Sequence, residues 1–255
     1  MVSEMQQAKA DGVTCVREGG HADQGRDISF LRELSRRSGM AIVASGGYHT
    51  QPSYPAEVIR ASEEELVETL VRDARAEKWG AIGEVGVLQA GTPDERKVFR
   101  AIGKAHLQTR LPIFTHTANG MAALEQLELF ESVGVDPRRS CIGHLGNLED
   151  PQVKVHKEVA RRGAYVGFDR RVRSAESDVI QLPMIKAMID AGYSDRLLCS
   201  SDAGGQDSVL KSNGGPGYAK ALAVFVPVLR KPGVGECGEA NRVRQLAPFR
   251  IGGAG

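Results

Sequence analysis

A single α/β domain over residues 1–255, built as a (β/α)8 TIM-like barrel with seven recognisable strands, is the fold this sequence predicts. Three observations point there. Short β-branched runs alternate with long helical patterns at intervals of roughly 25–40 residues, which is the rhythm of βαβ units and a parallel sheet. The helical patterns carry start and stop residues of the expected kinds. Residues able to do chemistry gather at or near strand ends (Glu84, His116, His144, Asp169 and Asp202), which is where barrels of this kind place their sites. No Gly-x-Gly-x-x-Gly or phosphate-loop pattern follows an early strand, so the open nucleotide-binding sheet is the weaker alternative.

The elements follow in order. "GVTCV" (12–16) reads as a strand, then a helix over 27–38 stopped by Gly39. "AIVASGG" (41–47) is the second strand. Ser62 and Glu65 form a capping-box pattern ahead of a helix over 62–78. "GAIGEVGV" (80–87) follows, then a helix over 93–109 with Thr92 as cap and Pro93 at its first position. "PIFTHT" (112–117) leads into a helix over 119–133 stopped by Gly134, and "SCIGHLG" (140–146) into one over 151–162 stopped by Gly163. "AYVGFD" (164–169), a helix over 179–191 stopped by Gly192, "RLLCSSD" (196–202) and a helix over 217–230 complete the series.

Composition narrows the partners. A net charge of +1 gives no electrostatic reason to expect nucleic acid or an anionic membrane. No apolar run is of membrane-spanning length, and "MVSEMQQAKADG" lacks the apolar segment of a signal peptide. The four cysteines, at 15, 141, 199 and 237, have no Cys-x-x-Cys spacing and read as reduced residues of a cytoplasmic protein. A small-molecule substrate is therefore the expected partner, with a homodimer as the assembly left open.

The strand ends define a candidate metal site. His116 and His144 terminate consecutive strands, 28 residues apart, so a barrel makes their imidazoles neighbours. Glu84 ends the strand before them. Two imidazoles and a carboxylate, with water at the fourth position, are the donor set of a catalytic zinc. Asp202, ending the last strand, can ligate metal or take a proton from activated water. His49 follows a strand end directly and is expected to line the mouth of the site as a substrate-binding residue. His106 and His156, inside helices, and His21, in a polar loop, read as solvated or structural.

At these residues the chain resembles the phosphotriesterase family of the amidohydrolase superfamily. The resemblance runs from about residue 8 to 234 and is carried by "GRDISFLRELSRRSGMAIVASGGY", "PIFTHT", "FESVGVDPRRSCIGHLGN", "GAYVGFDR", "MIDAGYSDRLLCSSDA" and "GGPGYAKALAVFVPVLRKPGV" in that order. It implies a barrel with one or two divalent ions, zinc by preference, in which His116 and His144 hold one ion, Asp202 belongs to the other and Glu84 bridges. It implies hydrolysis of a lactone, ester or phosphotriester by metal-activated hydroxide, with Asp202 receiving the proton. "GFDR" (167–170) is similar to the lactonase-like branch, which places Arg170 to orient a carbonyl or acyl amide. Asn147 stands near where some relatives hold a proton-relaying aspartate, which an amide cannot replace.

Two departures set further expectations. The family opens with a strand carrying His-x-His, two ligands of the second ion. This chain has no such pattern and opens at what matches the family's first helix. Its end, "GVGECGEANRVRQLAPFRIGGAG", also leaves the family pattern. The expectation is a barrel lacking its first strand, with the ion of Glu84, His116 and His144 retained and the second weakly held or absent. The competing reading is a catalytically impaired or inactive remnant keeping at most one metal. A metal-dependent deoxyribonuclease of the same superfamily is a third, disfavoured by the balanced charge.

Overall fold

Helices leave their first N–H and last C=O groups unpaired, and the start and stop residues of this chain take them up. The computed structural model describes residues 1–88, 91–169, 175–203 and 210–225. It contains helices α1 (Val2–Ala10), α2 (Ile28–Ser38), α3 (Ala56–Arg60), α4 (Glu63–Glu77), α5 (Pro93–Thr109), α6 (Ala123–Ser132), α7 (Lys154–Arg161) and α8 (Ala175–Asp190). The strands are β1 (Cys15–Arg17), β2 (Ala41–Val43), β3 (Ser45–Gly46), β4 (Ala81–Val87), β5 (Ile113–Thr117), β6 (Ser140–Ile142), β7 (Tyr165–Phe168) and β8 (Leu197–Cys199). The expected Ser62–Glu65 capping box forms, and the expected Thr92 cap proves to be a second box with Glu95. Ser62 Oγ accepts the Glu65 N–H at 3.2 Å and the Glu65 carboxylate accepts the Ser62 N–H at 2.8 Å. Thr92 and Glu95 exchange the same two bonds at 3.1 Å each, with Pro93 at the first position of α5. Gly39 ends α2 with φ 67°, and Gly134, Gly163 and Gly192 likewise take positive φ after their helices. Thr92→Ala should lower unfolding stability by ~1 kcal/mol, read as a lower denaturant midpoint at unchanged slope. An unchanged midpoint would mean that tertiary packing alone fixes the start of α5.

All strand pairs are parallel. The order is β1-β2 in one ladder and β3-β4-β5-β6-β7-β8 in the other. β2 and β3 are one strand interrupted at Ala44, and backbone bonds from Glu18 N–H to Val43 O and from Gly80 N–H to Ala44 O, both 2.9 Å, run through the break. Seven parallel strands thus follow one another in chain order, as the sequence predicts. Among the described residues no eighth strand pairs β8 with β1. The region is held by packing: Ala219 joins Met5, Ala8, Val13, Leu34 and Met40 in one apolar cluster. The buried Glu4 carboxylate accepts the N–H groups of Lys211 and Ser212 at 3.0 and 2.8 Å. The helix expected over 217–230 appears as one π-helical turn, Ala221–Phe225, preceded by a turn at 218–219; residues 226–230 lie outside the described residues.

The pleat sorts each strand into two faces. Outward residues pack under the helices: Ile82, Val85 and Val87 of β4 with α4 and α5, and Ile142, Val166 and Phe168 with α6 to α8. Phe99 and Phe130 stack at 5.1 Å between ring centroids. Inward residues Ala81, Phe114, Cys141 and Leu198, with Tyr165, fill the bottom of the sheet's concave side. Two positions along β5 from Phe114, on the same face, stands His116. Gly83 makes room there: its φ is 144°, and a Cβ would stand 2.3 Å from the Phe114 carbonyl oxygen. Among the described residues no helix is long and apolar enough to cross a membrane.

Candidate metal centre

Glu84, His116 and His144 come together, although Glu84 stands midway along β4 and not at its end as expected, and His144 stands two residues past β6. Glu84 Oε1 lies 2.6 Å from His144 Nε2 and 3.6 Å from His116 Nδ1. The His116 and His144 rings meet edge to face at 4.5 Å between centroids. Burial raises the cost of the Glu84 charge, but hydrogen bonds to the two imidazoles more than offset it, and the carboxyl is held well below its usual range.

His144 is gripped from both sides. Gly143 brings the chain close to β5, where a Cβ would meet the Thr115 carbonyl oxygen at 2.2 Å, and His144 itself turns with φ 61° into the short 3-10 helix Leu145–Asn147. Asp169 Oδ1 accepts both the His144 backbone N–H and Nδ1–H, each at 2.8 Å. Burial disfavours the imidazolium, yet Asp169 and Glu84 push the ring up to about 11. Glu84 Oε1 and His144 Nε2 face each other, and at a separation of ~3 Å the two atoms would serve as ligands of one ion. A carboxylate behind a ligating imidazole fixes its tautomer and raises its basicity. Asp169→Asn should therefore weaken divalent metal binding about 10–100-fold, measured by competition against a chromophoric chelator. Unchanged affinity would leave Asp169 as a purely structural partner.

His49 joins the group more closely than its expected place at the mouth implies. Ligand-type atoms of His49, Glu84 and His116 all lie within 4.8 Å of one another. Its Nδ1–H donates to the Glu84 carbonyl oxygen at 3.2 Å, so Nε2 keeps its lone pair. The His49 and His116 rings are 4.7 Å apart. Asp202 follows β8 half-buried with φ 41° and is not part of that group of three. Arg170 lies outside the described residues.

The remaining histidines divide. His106 and His156 are buried structural residues, as expected: His106 Nδ1–H donates to Leu111 O at 2.6 Å and His156 Nε2–H to Leu145 O at 2.8 Å. His21 is not solvated at all. It is 0% exposed, ring centroid 6.1 Å from that of His49, and burial pushes it down to about 4, keeping it neutral. Arg17 is a further residue the sequence pattern did not single out. It ends β1 with its guanidinium 3.3 Å from the Phe114 ring centroid, inside the same strand-end layer. That it too is a polar residue closing a strand was the available signal. Cys15, Cys141 and Cys199 are free, and burial pushes the thiols of the last two up to about 12, in keeping with reduced core residues; Cys237 lies outside the described residues.

Comparison with known proteins bears on the fold and the family. The phosphotriesterase family profile matches residues 1–241. The phosphotriesterase homology protein of Escherichia coli is 36% identical over 238 residues, 90% of this chain and 80% of that protein. An aryldialkylphosphatase of Saccharolobus solfataricus is 28% identical, covering 92% of this chain and 79% of its own length. An N-acetyltaurine hydrolase of Xenopus tropicalis is 26% identical, covering 89% and 70%. The crystal structure of the Escherichia coli protein, with phosphate in its active site, superposes with a TM-score of 0.84 at 33% identity over 94% of this chain and 83% of that one. A lactonase from Listeria monocytogenes shares the fold with a TM-score of 0.81 at 23% identity, over 89% and 76%. With a profile match that leaves out only the last residues of the sequence, the chain belongs to the phosphotriesterase family.

Proposed function

We propose that this chain is a metal-dependent hydrolase that cleaves a lactone, ester or phosphotriester. The observation that carries the reading is the shared carboxylate: Glu84, midway along β4, meets two imidazoles, His116 and His144, while His49 closes on the same carboxylate. Nitrogen and carboxylate oxygen donors on rigid strand ends suit a borderline ion such as zinc. The donor set fits the group: Glu84 is held charged, His49 keeps a free lone pair, and Asp169 steadies His144 from behind. The relatives named above as an aryldialkylphosphatase and an N-acetyltaurine hydrolase add support for hydrolysis of an acyl or phosphoryl bond.

A bound divalent ion supplies Lewis acidity toward the target oxygen and makes a water molecule acidic enough to attack near neutral pH. The chain's own groups do the rest. Glu84, His116 and His144 would hold the ion, and Asp169 keeps the His144 ring in register by accepting its Nδ1–H. Asp202, at the end of β8, accepts the proton released by the attacking water. Arg170 orients the substrate carbonyl or phosphoryl oxygen. Phe114, Cys141 and Leu198 form an apolar floor below His116 that keeps bulk water from the base of the site.

The test is a turnover panel. Chain stripped with chelator and chain reloaded with Zn2+ or Co2+ would be offered aliphatic lactones, aryl esters, an aryl dialkyl phosphate and an N-acyl taurine. Metal-dependent turnover of a lactone, ester or phosphotriester is expected. Turnover of the N-acyl taurine alone would move the substrate class to amides, and no turnover after reloading would favour the inactive remnant.

A further inference from the structure

We propose that Arg17 holds an oxyanion of the substrate, so that the molecule hydrolysed carries a carboxylate, sulfonate or phosphate group besides its scissile bond. The proposal rests on the metal-hydrolase reading above and deepens it by naming the substrate class.

The pleat of β1 brings the side chain there. Val16 packs outward against Met5, Ala8 and Leu34, so its neighbour Arg17 turns to the concave side of the sheet. The guanidinium carbon lies over the Phe114 ring, 3.3 Å from its centroid. Phe114 belongs to the apolar floor with Ala81, Cys141 and Leu198, and it stands two residues before His116 on the same face of β5. Two residues along a strand rise by ~7 Å, which sets the scale between the ring under the guanidinium and the metal-binding imidazole. The chain just beyond Arg17 is tied to the same place. The Glu84 N–H donates to the Gly19 carbonyl oxygen at 3.1 Å, and a Cβ on Gly19 would stand 3.6 Å from Phe114 and 3.7 Å from Glu84.

A charge so placed calls for a bonded counter-ion. Burial pulls the Arg17 group down from its ordinary value, with Cys141, Glu84 and Asp169 pulling the other way, and a guanidinium stays charged near neutral pH. The two carboxylates are already engaged. Glu84 Oε1 faces His144 and His116, and Asp169 Oδ1 accepts two bonds from His144. Among the described residues the Arg17 side chain makes no hydrogen bond and no ion pair, and its nitrogens are not sealed from solvent, since the residue is only half-buried. Arg26 shows the contrast: its guanidinium donates to the Ser45 carbonyl oxygen and pairs with Glu77, as a structural arginine does. Resting one face on an aromatic ring steadies the Arg17 guanidinium without using any donor. What remains is a planar fork of N–H groups, the shape that pairs bidentately with a carboxylate or phosphoryl group.

The experiment separates anion binding from turnover. Chelator-stripped wild type, Arg17→Lys, Arg17→Gln and Arg17→Met would be titrated calorimetrically with glutarate, methanesulfonate and inorganic phosphate, with Zn2+ affinity and circular dichroism recorded for each. The wild type is expected to bind at least one probe, and the probe it prefers names the oxyanion. Arg17→Gln and Arg17→Met should bind that probe about 10–100-fold more weakly, the worth of a charge-assisted hydrogen bond. Arg17→Lys should fall between, because a point charge lacks the fork. Zn2+ affinity should not drop in any variant. Arg17→Met keeps an unbranched stem over Phe114 and stands in if Arg17→Gln fails to fold. No probe bound by the wild type, or equal binding by wild type and Arg17→Gln, would overturn the anion site while leaving the hydrolase reading intact. Parallel losses of anion and Zn2+ affinity in Arg17→Gln and Arg17→Met would also overturn it, since Arg17 would then be a structural support of the Glu84 and Asp169 carboxylates. Anion binding through Arg17 in a zinc-loaded chain that hydrolyses nothing would uphold the site and remove the hydrolase reading alone.

Discussion

Glu84→Gln is expected to remove both bound metal and hydrolysis. The carboxylate reaches both His116 and His144, at 3.6 and 2.6 Å, and its charge is held by them against the cost of burial. A glutamine of the same shape keeps one carbonyl oxygen but presents an NH2 where the second oxygen stood, and it brings no charge to offset that of a divalent ion. His116 and His144 then lose the charged carboxylate between them, and only Asp169, behind His144, remains as a counter-charge among the contacts described. The variant should bind metal at least about a hundredfold more weakly than wild type, by the same reasoning that makes outer partners worth 10–100-fold and direct ligands worth more. Metal analysis after dialysis, beside a hydrolysis assay, reads both losses. Full metal content with full activity would show that Glu84 is only a structural partner of the two histidines.

Asp202→Asn should cost hydrolysis roughly 10²–10⁴-fold in kcat. A proton released by attacking water needs an acceptor, and an amide is not one. Asp202 holds a left-handed φ of 41° directly after β8, at the same end of the sheet as Glu84 and His116. A backbone pose of that kind in a non-glycine residue costs of order 1–3 kcal/mol and persists where the surroundings enforce it. Metal content must be measured with the rate. A fall in rate at constant metal assigns Asp202 to proton transfer, whereas a parallel fall in both assigns it to metal binding. No change in either would remove it from the site.

The framework was legible because each βαβ unit carries its own local signals. Ser62 with Glu65, and Thr92 with Pro93, name their helix starts, and both helices begin there. Strand ends were read too long where a site residue bends the chain: the run 140–146 stops pairing at Ile142, because Gly143 closes on β5 and His144 turns to φ 61°. Helix α3, five residues after Pro55, is too short to show a period. The site divides in the same way. Glu84, His116 and His144 could be found because each lies on or just after one of three consecutive strands, which the barrel rule makes neighbours, although Glu84 sits midway along β4 rather than at its end. His21 could not, since it sits four residues past β1 in a polar loop, and only the fold of that loop against His49 and Ser53 buries it. Asp169 was visible at its strand end, but its grip on His144 is a contact between strands that spacing along the chain does not encode.

The central claim is that Glu84 is the shared ligand of a catalytic cation. Anomalous diffraction from crystals grown with Zn2+, recorded on either side of the zinc edge, tests it most directly. The expected result is a peak about 2.0–2.2 Å from Glu84 and from an imidazole nitrogen of His116. Crystals saturated with zinc that show no anomalous peak within reach of Glu84 would contradict it.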